Sequence, residues 1–209
     1  MTAVLDAAGF AAETGVSRET MERLDAYAAL LRRWSGRVNL VGRNTLDDMW
    51  RRHFLDSAQL RPFVADSAAS LIDLGSGAGF PGLVLAIFGV LGVELVESDQ
   101  RKCAFLREAI RVTGAAAVLR QERAEAMTAR PYDIVTARAC APLDRLLGLA
   151  EPFIGPGTRC VLLKGERAED EIAVAREGWN MQVTSRPSRA DPRGVVLCLD
   201  GVARAQHLA

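Results

Sequence analysis

The chain has 209 residues, 49% of them apolar and 25% charged, with formal net charge zero. Those values fit one soluble globular domain with a real core and at most a small appendage. They exclude nucleic-acid affinity from overall charge, leaving only a local patch, and no apolar run reaches the roughly 18 residues of a membrane span.

The first 65 residues read as a helical extension. MTAVLDAAGFAAETG lacks a basic start and carries early acids, so it does not read as a signal peptide. Met21, Leu24, Ala28, Leu31 and Trp34 recur at three- and four-residue spacing, one buried helical face, with Ser17 as its N-cap. Thr45 and Asp48 resemble a capping box with Asp in place of Glu. A further helix is expected through Met49, Trp50, Phe54 and Leu60, ending before Pro62. From residue 66 onward the pattern predicts one compact α/β unit. Strand-like SLIDLG, VELVES, AAVLRQ, YDIVTARA and RCVLLKG alternate with helical PGLVLAIFG, RKCAFLREAIRVTG, PLDRLLGLAEPF and ERAEDEIAVARE. That alternation implies a parallel sheet covered on both faces. WNMQVTSR and GVVLCLD, joined by PSRADPR, suggest an antiparallel pair at one edge, for a mostly parallel seven-stranded sheet.

The stretch LIDLGSGAGFPG follows the first strand, where open α/β sheets bind ligands. Gly75, Gly77 and Gly79 allow positive φ and close approach of the backbone to a ligand. Gly77, Gly79 and Gly82 also satisfy the dinucleotide expression G-x-G-x-x-G. Two features argue against a dinucleotide. Pro81 removes an N–H from the helix start that would hold a diphosphate, and Asp73 brings negative charge. An acid there suits a cationic ligand, and S-adenosylmethionine carries a sulfonium, an ammonium and no phosphate. Glu97, at the end of the second strand, is placed to accept two ribose hydroxyls, although NAD sites position an acid similarly. The bland alternative is a tight turn beside a surface acid.

LIDLGSGAGFPG, RRHFLDS, LVESDQRKCAFLREA, QERAE, TARA and LLKG, in this order and spacing, resemble the bacterial 16S ribosomal RNA guanine-N7 methyltransferase family, RsmG, also called glucose-inhibited division protein B. The resemblance covers nearly the whole chain. It implies the Rossmann-like S-adenosylmethionine-dependent methyltransferase fold and methyl transfer to N7 of a guanine in the 530 loop of 16S ribosomal RNA, within the 30S subunit or a precursor. Carried onto this sequence, it implies that Asp73, Gly75, Gly77, Gly79, Phe80, Glu97, Ser98, Ala124, Glu125 and Arg138 bind the donor. It further implies that Arg138, Lys164, Asn39 and His53 are catalytic, and that Arg123 and Lys164 serve RNA binding.

Guanine N7 keeps its lone pair at neutral pH, so alignment without a general base suffices. No Asn-Pro-Pro-Tyr or Asp-Pro-Pro-Tyr run of amino-methylating enzymes is present. Cys140 in ACAP is expected to be a buried, inert thiol rather than a nucleophile. Arg138 and Lys164 both follow apolar strands, so both are expected over the rim of the glycine loop, holding a phosphate or guanine O6; ordinary strand-end charges are the alternative. His53 is open to a packing role, and Asn39 to a role as a turn-former. Arg32, Arg33, Arg37, Arg43, Arg51 and Arg52 against Asp47 and Asp48 give that stretch a net +4, the expected phosphate-binding surface; Arg186, Arg189 and Arg193 make a lesser one. Yet only Lys102 and Lys164 among the 26 basic residues are lysine, as in chains from GC-rich genomes, so arginine content alone decides little. Trp34 and Trp50 are expected in the core. Cys103, Cys140, Cys160 and Cys198 include no CxxC pair, which argues against a metal site or a disulfide framework and suits a cytoplasmic monomer. The competing functions are a methyltransferase for a small molecule or protein, an NAD-dependent oxidoreductase, and a non-catalytic RNA-binding relative.

Overall fold

The computed structural model of the chain describes residues 4–205. Helices α1 (Ala7–Thr14) and α2 (Arg18–Ser35) open it. Ser17 caps α2 as expected: its Oγ accepts from the Thr20 amide at 3.1 Å, satisfying an N–H that the first turn leaves open. The capping box at Thr45 does not form. Thr45 closes a 3-10 turn, Arg43–Thr45, by donating its hydroxyl to the Gly42 carbonyl at 2.6 Å. Asp48 Oδ1 instead accepts from the Leu5 amide at 3.0 Å. The next helix begins as a π-helix over Trp50–Leu55 and continues as the short α3, Asp56–Ala58. A search for 3.6-residue periodicity has no means of finding the wider π turn.

The sheet comprises β1 (Leu71–Leu74), β2 (Val93–Val96), β3 (Ala117–Arg120), β4 (Ile134–Arg138), β5 (Arg159–Lys164), β6 (Trp179–Pro187) and β7 (Val195–Arg204). Their spatial order is β3-β2-β1-β4-β5-β7-β6. The first five are parallel; β7 runs antiparallel between β5 and β6. All four residues of β1, Asp73 included, are buried, as in a strand covered on both faces. Helices α4 (Gly82–Ile87), α5 (Gln100–Thr113), α6 (Leu143–Ala150) and α7 (Ala168–Gly178) supply that cover.

Side chains alternate across β1, so Leu71 and Ile72 enter different cores. The first core joins Leu71, Leu83 and Phe105 to Phe10, Leu24, Tyr27, Leu31, Trp50 and Phe54 of the N-terminal helices. Those helices are therefore built onto one sheet face, and Trp50 is core, with Trp34 packed against it. The second core gathers Ile72, Val135, Leu147, Phe153 and Leu162 under α6 and α7. Strand order reverses at β1 and β4: the chain winds outward through β2 and β3, then restarts at β4. A crevice opens beyond the C-terminal ends of these strands.

Candidate functional site

The loop after β1 forms one wall of that crevice. Gly75 and Gly77 have φ of 65° and 58°, the left-handed region that disfavours a side chain. A Cβ on Gly75 would lie 2.9 Å from Cys140 Sγ, whereas one on Gly77 would meet no protein atom nearer than 3.8 Å. The Ser76 hydroxyl donates to the Asp73 carbonyl at 2.9 Å, and the Gly79 amide to the Ser76 carbonyl at 2.7 Å. From α2, the buried Tyr27 hydroxyl donates to the Ala78 carbonyl.

Two expected ligand-binding side chains turn inward. Asp73 is fully buried. Its Oδ1 accepts from the Thr136 hydroxyl at 2.8 Å and its Oδ2 from the Gly82 amide at 3.2 Å. Burial raises its pKa to about 6, against the opposing hydrogen bonds from Ser76, Thr136 and Gly82. Asp73 therefore ties β1 to β4 and to the start of α4 and lines neither cavity described below. Phe80 is also enclosed, its ring stacked on Tyr27 and on His53 with centroids 5.2 Å away in each case.

Glu97, at the end of β2, binds the loops together. Its Oε2 accepts from the Gly77 amide at 3.0 Å, and its Oε1 from the Ser98 and Asp99 amides at 2.8 Å. A carboxylate offers about four acceptor positions, so three amides leave it capacity for a ligand hydroxyl. Gly75, Glu97, Ser98, Ala124, Glu125 and Cys140 border a cavity of about 260 Å³. Arg123 lines it too, so it stands with the glycine loop.

A second cavity of about 390 Å³ adjoins the first and shares Cys140 and Ala141 with it. Arg52, Asp56, Arg138, Lys164 and Asp191 line it. Arg138 and Lys164 thus do face one cavity, but each is held. Arg138 Nη1 lies 3.0 Å from the Arg52 carbonyl, 3.1 Å from His53 Nδ1 and 3.2 Å from Asp56 Oδ2, and its guanidinium covers the Phe80 ring. Lys164 Nζ donates to the Ala141 carbonyl and to Glu171 Oε2, both at 2.7 Å, with its side chain 8% exposed. Glu171 Oε2 also accepts from the Leu143 amide at 2.9 Å. This cluster fixes the segment between β4 and α6, where Ala139 takes a positive φ of 49°.

His53 is a hydrogen-bonded packing residue. Arg138 can only donate, so His53 Nδ1 is the acceptor. Nε2, 2.7 Å from Thr45 Oγ1, therefore carries the proton. Burial, reinforced by Arg138 and Arg52, lowers its pKa to about 3. The ring is neutral at physiological pH with both nitrogens engaged, so it has no lone pair for an acceptor's proton. Cys140 departs from expectation in the other sense: it is exposed and borders both cavities. The surrounding protein still desolvates its thiol and, with Asp73, raises its pKa, so the reactive thiolate is suppressed.

The basic stretch divides. Arg32, Arg33, Arg37 and Arg43 are exposed. Arg51 lies 3.6 Å from Asp48, and Arg52 pairs with Asp191 at 2.7 Å. Asn39 is exposed on the turn after α2 and lines neither cavity. Sequence reasoning missed Tyr27, Thr45, Asp56, Thr136, Glu171 and Asp191 as supporting residues. Asp56 lay within RRHFLDS and Thr136 within TARA, and Thr45 stood out only as a cap; Tyr27, Glu171 and Asp191 reach the site by tertiary packing. No group of His, Cys, Asp and Glu able to hold a metal occurs among the described residues.

The family profile described as rRNA small subunit methyltransferase G matches residues 20–190. A relative from Rhodospirillum centenum, Ribosomal RNA small subunit methyltransferase G, is 56% identical over 94% of this chain and 91% of its own. One of the same name from Rhodospirillum rubrum is 55% identical over 94% of this chain and 98% of its own. Among solved structures, ribosomal protein L11 methylase from Lactobacillus delbrueckii subsp. bulgaricus superposes with TM-score 0.58 at 14% identity, over 72% of this chain and 77% of that one. The glycopeptide N-methyltransferase MtfA, complexed with (S)-adenosyl-L-methionine, superposes with TM-score 0.58 at 12% identity, over 71% of this chain and 93% of that one. The distant structures share the fold, and the relatives align with nearly the whole chain at 55–56% identity: the chain belongs to the rRNA small subunit methyltransferase G family.

Proposed function

We propose that this chain transfers a methyl group from S-adenosylmethionine to N7 of a guanine in the 530 loop of 16S ribosomal RNA. The observation that carries the reading is the junction of two cavities across Cys140 and Ala141, one bordered by Glu97 and the glycine loop, the other by Arg52, Arg138 and Lys164.

The first cavity fits the donor. Gly75 and Gly77 leave a strip of backbone that a Cβ would fill, and Glu97 retains acceptor capacity for a ribose hydroxyl. Ser98, Ala124 and Glu125 border the same space. A diphosphate fits poorly. Pro81 has no N–H, the Gly82 amide is committed to Asp73, and the Leu83 amide to the Gly79 carbonyl, so none of these three positions at the start of α4 offers an amide to an anion. When bound, S-adenosylmethionine supplies an electrophilic methyl on a sulfonium.

The chain's own residues then need only bind and align. Guanine N7 attacks with its own lone pair, and no proton has to leave first. That accords with a site where His53 has both nitrogens engaged and the Cys140 thiol is held protonated. Arg138 and Arg52 line the acceptor cavity as hydrogen-bond donors, whereas Lys164 acts through the segment it clamps. Exposed Arg32, Arg33, Arg37 and Arg43 are suited to phosphates outside the cavities, so affinity should fall steeply with salt. The acceptor in this reading is the 30S subunit or a precursor, met in the cytoplasm by a monomer. No helix among the described residues is long and apolar enough to cross a membrane.

The test is labelled-donor transfer to 30S subunits from cells lacking the gene, followed by mapping of the modified nucleotide. One methylated guanine in the 530 loop is expected; label in protein, or none, overturns the reading. In titration calorimetry S-adenosylhomocysteine should bind and NAD should not.

A further inference from the structure

The cavity next to the cofactor crevice contains carboxylates whose hydrogen bonding is incomplete. Three carboxylates line it: Asp56, Glu171 and Asp191. Glu171 receives Lys164 and the Leu143 amide on one oxygen, at 2.7 and 2.9 Å, and that lysine at close range balances its charge. Asp191 receives Arg52 at 2.7 Å on one oxygen and the Arg193 amide at 3.0 Å on the other. Asp56 Oδ1 takes Gln59 Nε2 at 2.9 Å, but its Oδ2 has only a share of Arg138 Nη1. That nitrogen carries two hydrogens and faces three acceptors, and Asp56 is the most distant of them, at 3.2 Å. Asp56 therefore offers spare acceptor capacity on the wall of a cavity large enough for a base. Desolvation raises its pKa against the pull of Arg138, the condition of a carboxylate that a further donor would relieve.

We propose that Asp56 is a specificity residue that accepts hydrogen bonds from the N1–H and 2-amino group of the acceptor guanine. The proposal rests on the guanine reading above. Guanine alone among the standard bases places two adjacent donors, N1–H and the 2-amino group, on one edge, a match for a carboxylate. Adenine presents the N1 lone pair there, which a carboxylate repels. N7 lies on the opposite side of the purine, so this contact leaves it uncovered for methyl transfer. A buried acceptor left without its donor discriminates strongly against the wrong base.

The experiment uses the full chain and 30S particles reconstituted with guanine or inosine at the target position; inosine lacks only the 2-amino group. The wild-type enzyme should methylate the guanine particle roughly 10- to 100-fold faster, the value of one hydrogen bond to a charged group. Asp56→Asn should lose more on guanine than on inosine, which keeps N1–H but not the 2-amino group, so that its preference falls toward one. S-adenosylhomocysteine affinity of the variant should stay at the wild-type value, which reports that the fold and crevice survive. Equal wild-type rates on the two particles overturn the proposal whether or not the variant folds. So does an Asp56→Asn loss of equal size on both substrates, which would assign Asp56 to holding Arg138 alone. Absence of wild-type transfer to the guanine particle is a separate outcome: it removes the guanine reading and this inference with it.

Discussion

Replacing Tyr27 with Phe removes one oxygen atom and leaves the ring among Phe54, Phe80 and Phe105. The lost hydroxyl is the donor to the Ala78 carbonyl, in a part of the molecule where both residues are buried. An acceptor stranded in that way costs about 1–3 kcal/mol. For a domain of this size, about 2 kcal/mol lowers Tm by roughly 4–8 °C. Ala78 sits between Gly77 and Gly79, so the same bond also holds the cofactor loop in shape before anything binds. Loss of that preorganisation should raise the Kd for S-adenosylhomocysteine several-fold, about 5- to 10-fold if a little over 1 kcal/mol of loop ordering is shifted to the binding step. Thermal unfolding and titration calorimetry on the same preparation measure both quantities. A variant with wild-type Tm and wild-type Kd refutes the bond's importance. A lower Tm with an unchanged Kd refutes the link from α2 to the loop while leaving the stability argument standing.

Gly77→Ala and Gly15→Ala place a side chain at φ 58° and 67° respectively, with no protein atom near enough to clash, so each should lose about 1–2 kcal/mol of stability. Only Gly77→Ala should also weaken S-adenosylhomocysteine binding, by tenfold or more; equal binding by the two variants would show that the cofactor does not approach Gly77. Arg138→Ala strands Asp56 and His53 and should destabilise the fold by about 1–3 kcal/mol while removing methyl transfer to 30S subunits; near wild-type turnover would end its assignment to the site. Asp73 has a folded-state pKa raised from 3.8 to about 6, so between those values the native state holds a proton that the unfolded chain releases. Its contribution to stability is full below about pH 4 and is lost as pH rises through 6, by about 3 kcal/mol across the window. Urea unfolding of wild type and Asp73→Asn at pH 4.5 and 7.5 should therefore show wild type losing ground to the variant at the higher pH; a gap that is constant or moves the other way contradicts the buried-acid description.

What could be read from the sequence alone is what local chemistry decides. Ser17 announces the start of α2 because a hydroxyl there satisfies an amide a few atoms away. The short, mostly apolar run of β1, the glycines after it and Glu97 at the end of β2 place the crevice, because strand ends and backbone freedom are properties of short segments. The antiparallel β6–β7 pair is legible for the same reason. The direction in which Asp73 points, the enclosure of Phe80 and the saturation of His53 were settled by tertiary approach. Arg138 meets Asp56 and Arg52 across separations of 82 and 86 residues, and a π turn decides which side chains of RRHFLDS face it. Burial and partner choice are set by the whole packed arrangement, so two acids both read as ligands in the sequence, Asp73 and Glu97, end with one locked inside the protein and the other at the edge of the crevice.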